Sequence, residues 1–423
     1  MNNKIDLELR ARAKAVIPNG MYGHESVGLL PDGYPQFFAK ADGAYIWDVD
    51  GNRYLDFMCA YGPNLLGYKH EKINAAYIDQ LSRGDAMTGP SPMLVELAEN
   101  FVGMVSHADW AMFAKNGTDV TSMAMVIARA HTGKKKIVLA KGAYHGAAPW
   151  CTPIKNGVTE EDRANQIFYD YNDVASLEAA VNEAGDDLAA IFGSPFKHDA
   201  FVDQEMPNPA YARRARELCD AKGALLVVDD VRAGFRLARD CSWSLVGVQP
   251  DLSAWGKLIA NGHPISALLG SEKAREAAGS IYVTGSYWFA GAAMAAAVAT
   301  LKEIRETDYL EHTVKLGTKL RNGLAELAAA SGFGLRQTGP VQMPLFLFDD
   351  DADFRKGYFW SAELLKHGVY VHPWHNMFLC AAMKDEDIDL ALRAAKEGFA
   401  ALKQHQGALE RIGKLDALQA AHV

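Results

Sequence analysis

Between residues 71 and 309, short apolar runs alternate with longer stretches of helical spacing. The runs lie at 110–114, 136–140, 189–193, 224–228, 252–255 and 265–269. Most of their positions are apolar, so they read as strands buried on both faces. The stretches between them, such as 209–222 with Pro209 at its head, read as helices. Together they predict an α/β fold, a mainly parallel sheet with flanking helices. Ligands of such sheets sit beyond the carboxyl ends of the strands. Outside this core, 4–16 reads as an amphipathic helix ended by Pro18-Asn19-Gly20. The runs 44–49 and 53–57 flank Asp50-Gly51-Asn52, a hairpin signal. The alanines of 292–299 favour a helix. A long helix follows near 310, then β-rich stretches at 343–348, 369–372 and 377–381, and a closing helix near 385–403. The pattern divides the chain into an N-terminal segment (1–70) that joins a small α+β domain, a large α/β domain (71–309) and a C-terminal small domain (310–423).

Charge narrows the partners. Lys plus Arg number 43 against 52 for Asp plus Glu, a net −9 without a basic block. That argues against nucleic-acid and membrane-surface partners. The five cysteines are scattered, with no CxxC pair, so neither a disulfide framework nor a metal site is expected. The first residues lack the apolar core of a signal peptide, and no run reaches the roughly 18 apolar residues of a membrane span. The expectation is a cytoplasmic protein acting on small molecules.

HExxH, GxSxG and the P-loop are absent. Four other motifs follow predicted strands. Asp229-Asp230 ends one apolar run, and its two side chains must face opposite ways. Lys257 follows the run at 252–255, where partial desolvation would lower its pKa and make the amine a nucleophile. Lys115-Asn116-Gly117-Thr118-Asp119 opens a predicted helix at 120–130, and helix N-termini bind anions through free N–H groups. Lys141-Gly142-Ala143-Tyr144-His145-Gly146 offers an aromatic face and an imidazole in a glycine-flanked turn. Singly, each has an ordinary explanation: a surface lysine, a solvated acid, a helix cap, a loop tyrosine. As a set they supply what pyridoxal phosphate needs, namely a lysine for a Schiff base, an acid for the pyridinium nitrogen and a phosphate site.

Motif order and spacing, from Gly43-Ala44-Tyr45-Ile46-Trp47-Asp48-Val49-Asp50-Gly51-Asn52 to Asp385-Glu386-Asp387-Ile388, resemble the class III aminotransferases of the fold-type I pyridoxal-phosphate enzymes. The resemblance implies that Lys257 carries the cofactor and shuttles the proton. It implies that Asp229 holds the pyridinium nitrogen protonated and that Val231 and Tyr144 sandwich the ring. Gly117 and Thr118, with Asn116, would bind the phosphate. Gly285-Ser286 resembles the Gly-Thr pair that a neighbouring subunit donates to the phosphate, which implies a homodimer with shared active sites.

Departures refine this picture. The family's usual Asp-Glu-Val is Asp229-Asp230-Val231, followed by Arg232 beside the expected place of the cofactor's phenolic oxygen. Ser194-Pro195 stands where Glu-Pro is frequent. Ser26 aligns with the arginine that glutamate-1-semialdehyde aminomutases use for a substrate carboxylate. The runs Gly20-Met21-Tyr22-Gly23-His24-Glu25-Ser26, Cys59-Ala60-Tyr61-Gly62-Pro63-Asn64-Leu65-Leu66-Gly67-Tyr68 and Val371-His372-Pro373-Trp374-His375-Asn376-Met377-Phe378-Leu379 look most like the branch that deaminates hydrolysed fumonisin. That branch implies a bulky, largely apolar amine or amino alcohol as donor and a keto acid such as pyruvate as acceptor. Tyr22, His24, Tyr61, Trp288, Phe289 and Trp374 are then substrate candidates, and Arg232 a candidate for the acceptor carboxylate or the cofactor phenolate. The rivals are an aminomutase of the same fold and a non-catalytic cofactor-binding protein.

Overall fold

A computed structural model describes residues 2–416 and Gln419. Met1 of the N-terminal segment and residues 417, 418 and 420–423 of the C-terminal one lie outside the described residues. The chain forms two compact units. One comprises Met1–His70, Ala200–Asp203 and Glu311–Val423; the other comprises Glu71–Asp199 and Gln204–Leu310.

The second unit is built on a seven-stranded sheet. Its strands, in spatial order, are Trp110–Ala114, Ser266–Gly270, Leu252–Trp255, Leu225–Asp229, Leu188–Gly193, Lys136–Ala140 and Gln166–Tyr169. From Leu252–Trp255 to Gln166–Tyr169 all neighbours are parallel. Ser266–Gly270 is antiparallel to both of its neighbours. A parallel return needs a crossover of a dozen or more residues, and residues 256–265 are too few to make one. The second reversal restores the common direction at Trp110–Ala114. Six strands therefore end on one edge, followed by Lys115, Lys141, Asp170, Ser194, Asp230 and Gly256. Gln166–Tyr169 is not among the predicted runs; it is only four residues long and, at the edge of the sheet, alternates between covered and exposed positions.

Helices Gly117–Thr132, Val174–Ala184 and Pro209–Lys222 cover the sheet, each ending at a glycine. Val120, Ala124, Ile127 and Ala128 of the first pack against Leu139, Ala190, Val227 and Leu268 of the strands.

The other unit holds a four-stranded sheet of Phe38–Asp42, Tyr45–Asp48, Arg53–Asp56 and Val369–Tyr370. The hairpin turns at Asp50-Gly51-Asn52, with the Asn52 N–H donating to the Asp48 carboxylate at 2.8 Å. Val369–Tyr370 joins it in parallel to Arg53–Asp56. The expected strand at 377–381 is not one. Its N–H groups donate to four different places: Met377 to the Pro344 carbonyl, Phe378 to Phe57, Leu379 to Gln342 and Ala381 to Leu65. The segment is an apolar buried tie whose backbone is satisfied without a ladder, and hydrophobicity alone does not separate the two cases. Among the described residues, no helix is long and apolar enough to cross a membrane.

The sheet leaves no room where indoles cross glycines. A Cβ on Gly270 would lie 2.0 Å from Trp110 Cζ2. That indole cannot swing away freely, since its Nε1 donates to the Ser271 carbonyl at 2.8 Å. Gly270→Ala should lower stability by about 1–3 kcal/mol, the usual penalty of overpacking. Gly279→Ala has open space around the new methyl and should be neutral or slightly stabilising. Denaturant midpoints of the two variants against the parent test the contrast.

Candidate active site

Lys257 follows Gly256 at the start of the reversed connection, directly after the Leu252–Trp255 strand. Its backbone is left-handed, with φ 47°, a conformation a lysine adopts only when its surroundings impose it. Burial pushes its amine down to about 7, the charges of Arg232 and Arg236 push the same way, and Asp229 opposes them. A sizeable fraction of the amine is thus unprotonated and nucleophilic at neutral pH.

Asp229 closes the neighbouring strand and is buried. One carboxylate oxygen lies 2.8 Å from His145 Nδ1, and the other accepts the Val231 N–H at 3.2 Å. Asp230 points the other way, as strand alternation requires. Its carboxylate accepts from the backbone N–H of Ser242 at 2.7 Å and from the Ser242 hydroxyl. Burial pushes the Asp230 carboxyl up to about 6, against the pull of the Ser242 hydrogen bonds.

The helix Gly117–Thr132 opens next to these groups. The Asp119 side chain reaches back to the N–H groups of Asn116 at 2.8 Å and Lys115 at 3.2 Å. Capping is therefore real, yet it leaves the first-turn N–H groups of Gly117 and Thr118 to an anion. Close approach explains both glycines here. A Cβ on Gly117 would stand 2.9 Å from Val231 Cγ1, and one on Gly146 would stand 2.5 Å from Thr118 Oγ1. The Ala147 N–H donates to the Thr118 hydroxyl at 3.1 Å, and the Thr121 hydroxyl donates to the His145 carbonyl at 2.7 Å. The loop bearing Tyr144 and His145 is thereby tied to the helix start. Tyr144 remains 42% exposed, so its ring offers a face. Arg232 is half-buried; burial lowers its guanidinium to about 10, with Asp229, Tyr144 and Asp199 opposing.

A phosphorylated heteroaromatic fits these groups. A helix start would suit a dianion, an apolar and an aromatic side chain would suit the faces of a ring, and a buried carboxylate would suit a protonated ring nitrogen.

The structure therefore brings Asn116, Gly117, Thr118, Tyr144, Asp229, Val231, Arg232 and Lys257 onto one sheet edge. Ser286 is exposed in a turn closed by the Trp288 N–H on the Gly285 carbonyl at 3.0 Å. Trp288 packs partly on the sheet core, and Phe289 is half-exposed. In the other unit, His24 meets Tyr61 edge-on with centroids 4.6 Å apart. Trp374 stacks on Phe201 at 4.5 Å and crosses His372 at 4.4 Å. Tyr22 is exposed. Two groups at the lysine's edge escape a motif reading. His145 was visible as an imidazole in a glycine-flanked turn, but its partner Asp229 is far away in sequence. His198 carries no local signal at all.

A family model described as Aminotransferase class-III matches residues 31–396. The chain is 58% identical over 403 residues to an aminopentol aminotransferase of Sphingopyxis macrogoltabida, covering 95% of this chain and 96% of that protein. It is 32% identical over 420 residues to a glutamate-1-semialdehyde 2,1-aminomutase of Desulforudis audaxviator, covering 93% and 96%. Among solved structures, the FumI protein of Sphingopyxis sp. MTA144 in its PLP internal aldimine form superposes with a TM-score of 0.96 at 57% identity, covering 97% and 99%.

The two aspartates should separate in experiment. Asp229→Asn should lower turnover by roughly 10²-fold or more, as loss of a preorganised charge does. Asp230→Asn should act on stability instead. A carboxyl held at about 6 when folded, against about 4 unfolded, makes the native state bind the proton more tightly. The native state is then favoured below pH 4 and loses up to about 3 kcal/mol as pH rises from 4 to 6. Denaturation of the parent should show that loss, and Asp230→Asn should lack it.

Proposed function

This chain belongs to the class-III aminotransferase family and works with pyridoxal phosphate, and from that premise we propose its reaction and its donor. It moves an amino group from a bulky, largely apolar primary amine or amino alcohol to a keto acid such as pyruvate. The 58% identity to an aminopentol aminotransferase across nearly the whole chain is the observation that carries the donor class. The sequence supports it by what it lacks. Ser26, which stands at the place of a carboxylate-binding arginine in the aminomutases, accepts a hydrogen bond from the Gly28 N–H at 3.3 Å and serves its own turn.

When bound, pyridoxal phosphate supplies an electron sink for the carbon that loses its proton. The chain supplies the rest. Gly117 and Thr118, with Asn116, would hold the phosphate at the helix start. Val231 and Tyr144 would lie against the two faces of the ring. Asp229, oriented by His145, would hold a proton at the ring nitrogen. Lys257 Nζ would hold the cofactor covalently and, once released, would accept the proton from the donor carbon and return it. Arg232 receives a carboxylate or the phenolic oxygen through a charge-assisted contact.

The same reading includes a cytoplasmic homodimer in which Ser286 serves the partner's phosphate site. Tyr282 and Tyr287 flank Ser286 and are exposed at 91% and 69%, and such exposed aromatics fit a protein interface.

Two measurements test this reading. In cofactor-free protein, covalent attachment of pyridoxal phosphate should accelerate as pH rises, with a midpoint near 7, because only the neutral amine attacks. Borohydride should fix the label on Lys257, and Lys257→Ala should take none. Attachment at another lysine would remove the assignment.

In a donor panel with pyruvate, long-chain apolar amines should outperform glutamate and other acidic donors. Arg232→Ala should raise the apparent KM for pyruvate more than that for a long-chain amine, by about ten-fold or more for a lost hydrogen bond to a charged group. Acidic donors ranking first would overturn the donor class.

A further inference from the structure

His198 lies past the carboxyl end of the Leu188–Gly193 strand, on the edge that holds Lys257. We propose that His198 Nδ1 donates a hydrogen bond to an oxyanion bound beside Arg232, either the carboxylate of the keto-acid acceptor or the phenolic oxygen of the cofactor. The proposal rests on the aminotransferase reading above and adds a specificity-determining residue to it.

Three observations converge on this residue. The side chain is only 8% exposed, and its Nδ1 is buried with no hydrogen-bond partner among the described residues. A buried ring nitrogen left unpaired is destabilising, and in the tautomer that carries its proton on Nδ1 it is a donor that an arriving acceptor would satisfy. The backbone around it is fixed. Lys197 and Glu205 exchange both N–H to carbonyl bonds, at 2.8 and 3.2 Å. The Ser194 carbonyl accepts from Trp243 Nε1 at 2.8 Å and from the Tyr171 hydroxyl at 3.2 Å. The Phe196 ring meets the imidazole edge-on at 5.2 Å.

The third observation is charge. Burial above all, and then the charge of Arg232, hold the imidazole neutral, well below its ordinary value, against the pull of its own backbone. The negative groups in this cluster are Asp229 and Asp199, both of which act on Arg232. A lysine or arginine at 198 would add one more buried cation to Lys257 and Arg232. A neutral imidazole adds a directed N–H without that repulsion. An arriving oxyanion pairs with the guanidinium and satisfies Nδ1 at once.

The test uses holoenzyme of the parent, His198→Phe and His198→Asn. Phenylalanine keeps a ring and loses the donor; the asparagine amide nitrogen falls where Nδ1 stands. If the oxyanion is the acceptor carboxylate, His198→Phe should raise the KM for pyruvate by about ten- to hundred-fold, the range for a lost hydrogen bond to a charged group. The half-reaction with a long-chain amine should fall far less, and His198→Asn should recover most of the pyruvate KM. If the oxyanion is the phenolate, the pH midpoint of the cofactor's absorbance without substrate should move by about one unit in His198→Phe, again with recovery in His198→Asn. Unchanged KM and unchanged midpoint in folded His198→Phe overturn the proposal. Equal losses in Phe and Asn also overturn it, because they mark a purely structural role. Should His198→Phe fail to fold, His198→Gln, whose amide nitrogen falls where Nε2 stands, replaces it. The absorbance arm needs no donor, so failure of the bulky-amine reading shows separately, as a parent enzyme that prefers acidic amines.

Discussion

An amine stripped of water among like charges is the constraint on which this site depends. Lys257 needs burial to be nucleophilic, and burial beside Arg232 and Arg236 is possible only because the carboxylate of Asp229 stands with them. Asp229 in turn is held by both oxygens, one against His145 and one by the Val231 N–H. The acid that balances the lysine is thus fixed before any ligand arrives, which is what electrostatic preorganisation requires. Asp230 shows the alternative fate of the same residue type one position on. It faces away, closes on Ser242 and supports the scaffold.

Val231 is the mechanical centre of this arrangement. Its methyl groups approach where a Cβ on Gly117 or Gly256 would stand, at 2.9 and 3.2 Å. Three loops from three strands therefore meet on one small side chain: the helix start, the aspartate loop and the lysine turn. Larger residues at either glycine would separate the helix start from the lysine turn. The left-handed backbone at Lys257 belongs to the same economy of space, since it turns the chain sharply while its neighbours stay packed.

Much of this was legible in the sequence. Runs such as Trp110–Ala114 and Lys136–Ala140 coincide with strands, because residues buried on both faces leave an unbroken apolar signature. The lysine and the aspartates were legible because strand ends are where chemistry collects in such sheets. What escaped was non-local. The pairing of His145 with Asp229 spans 84 residues, and no spacing rule connects them. His198 opens the loop closed by Lys197 and Glu205, whose geometry depends on backbone contacts and not on residue type. The stretch at 377–381 misled for the opposite reason. Its apolar pattern is that of a strand, but four separate acceptors take its hydrogen bonds.

That tie also bears on the order in which the unit assembles. Its partners, Phe57, Leu65, Gln342 and Pro344, lie on segments close to it in space but widely spread along the chain. Its four bonds are shared between two distant stretches of chain, 57–65 and 342–344, instead of running along one partner strand. Closing each loop carries its own entropy, so the segment gains most once the hairpin and the Leu345–Phe348 strand are in place. It is a keystone in the builder's sense: a piece whose seating ties together segments that would otherwise separate independently.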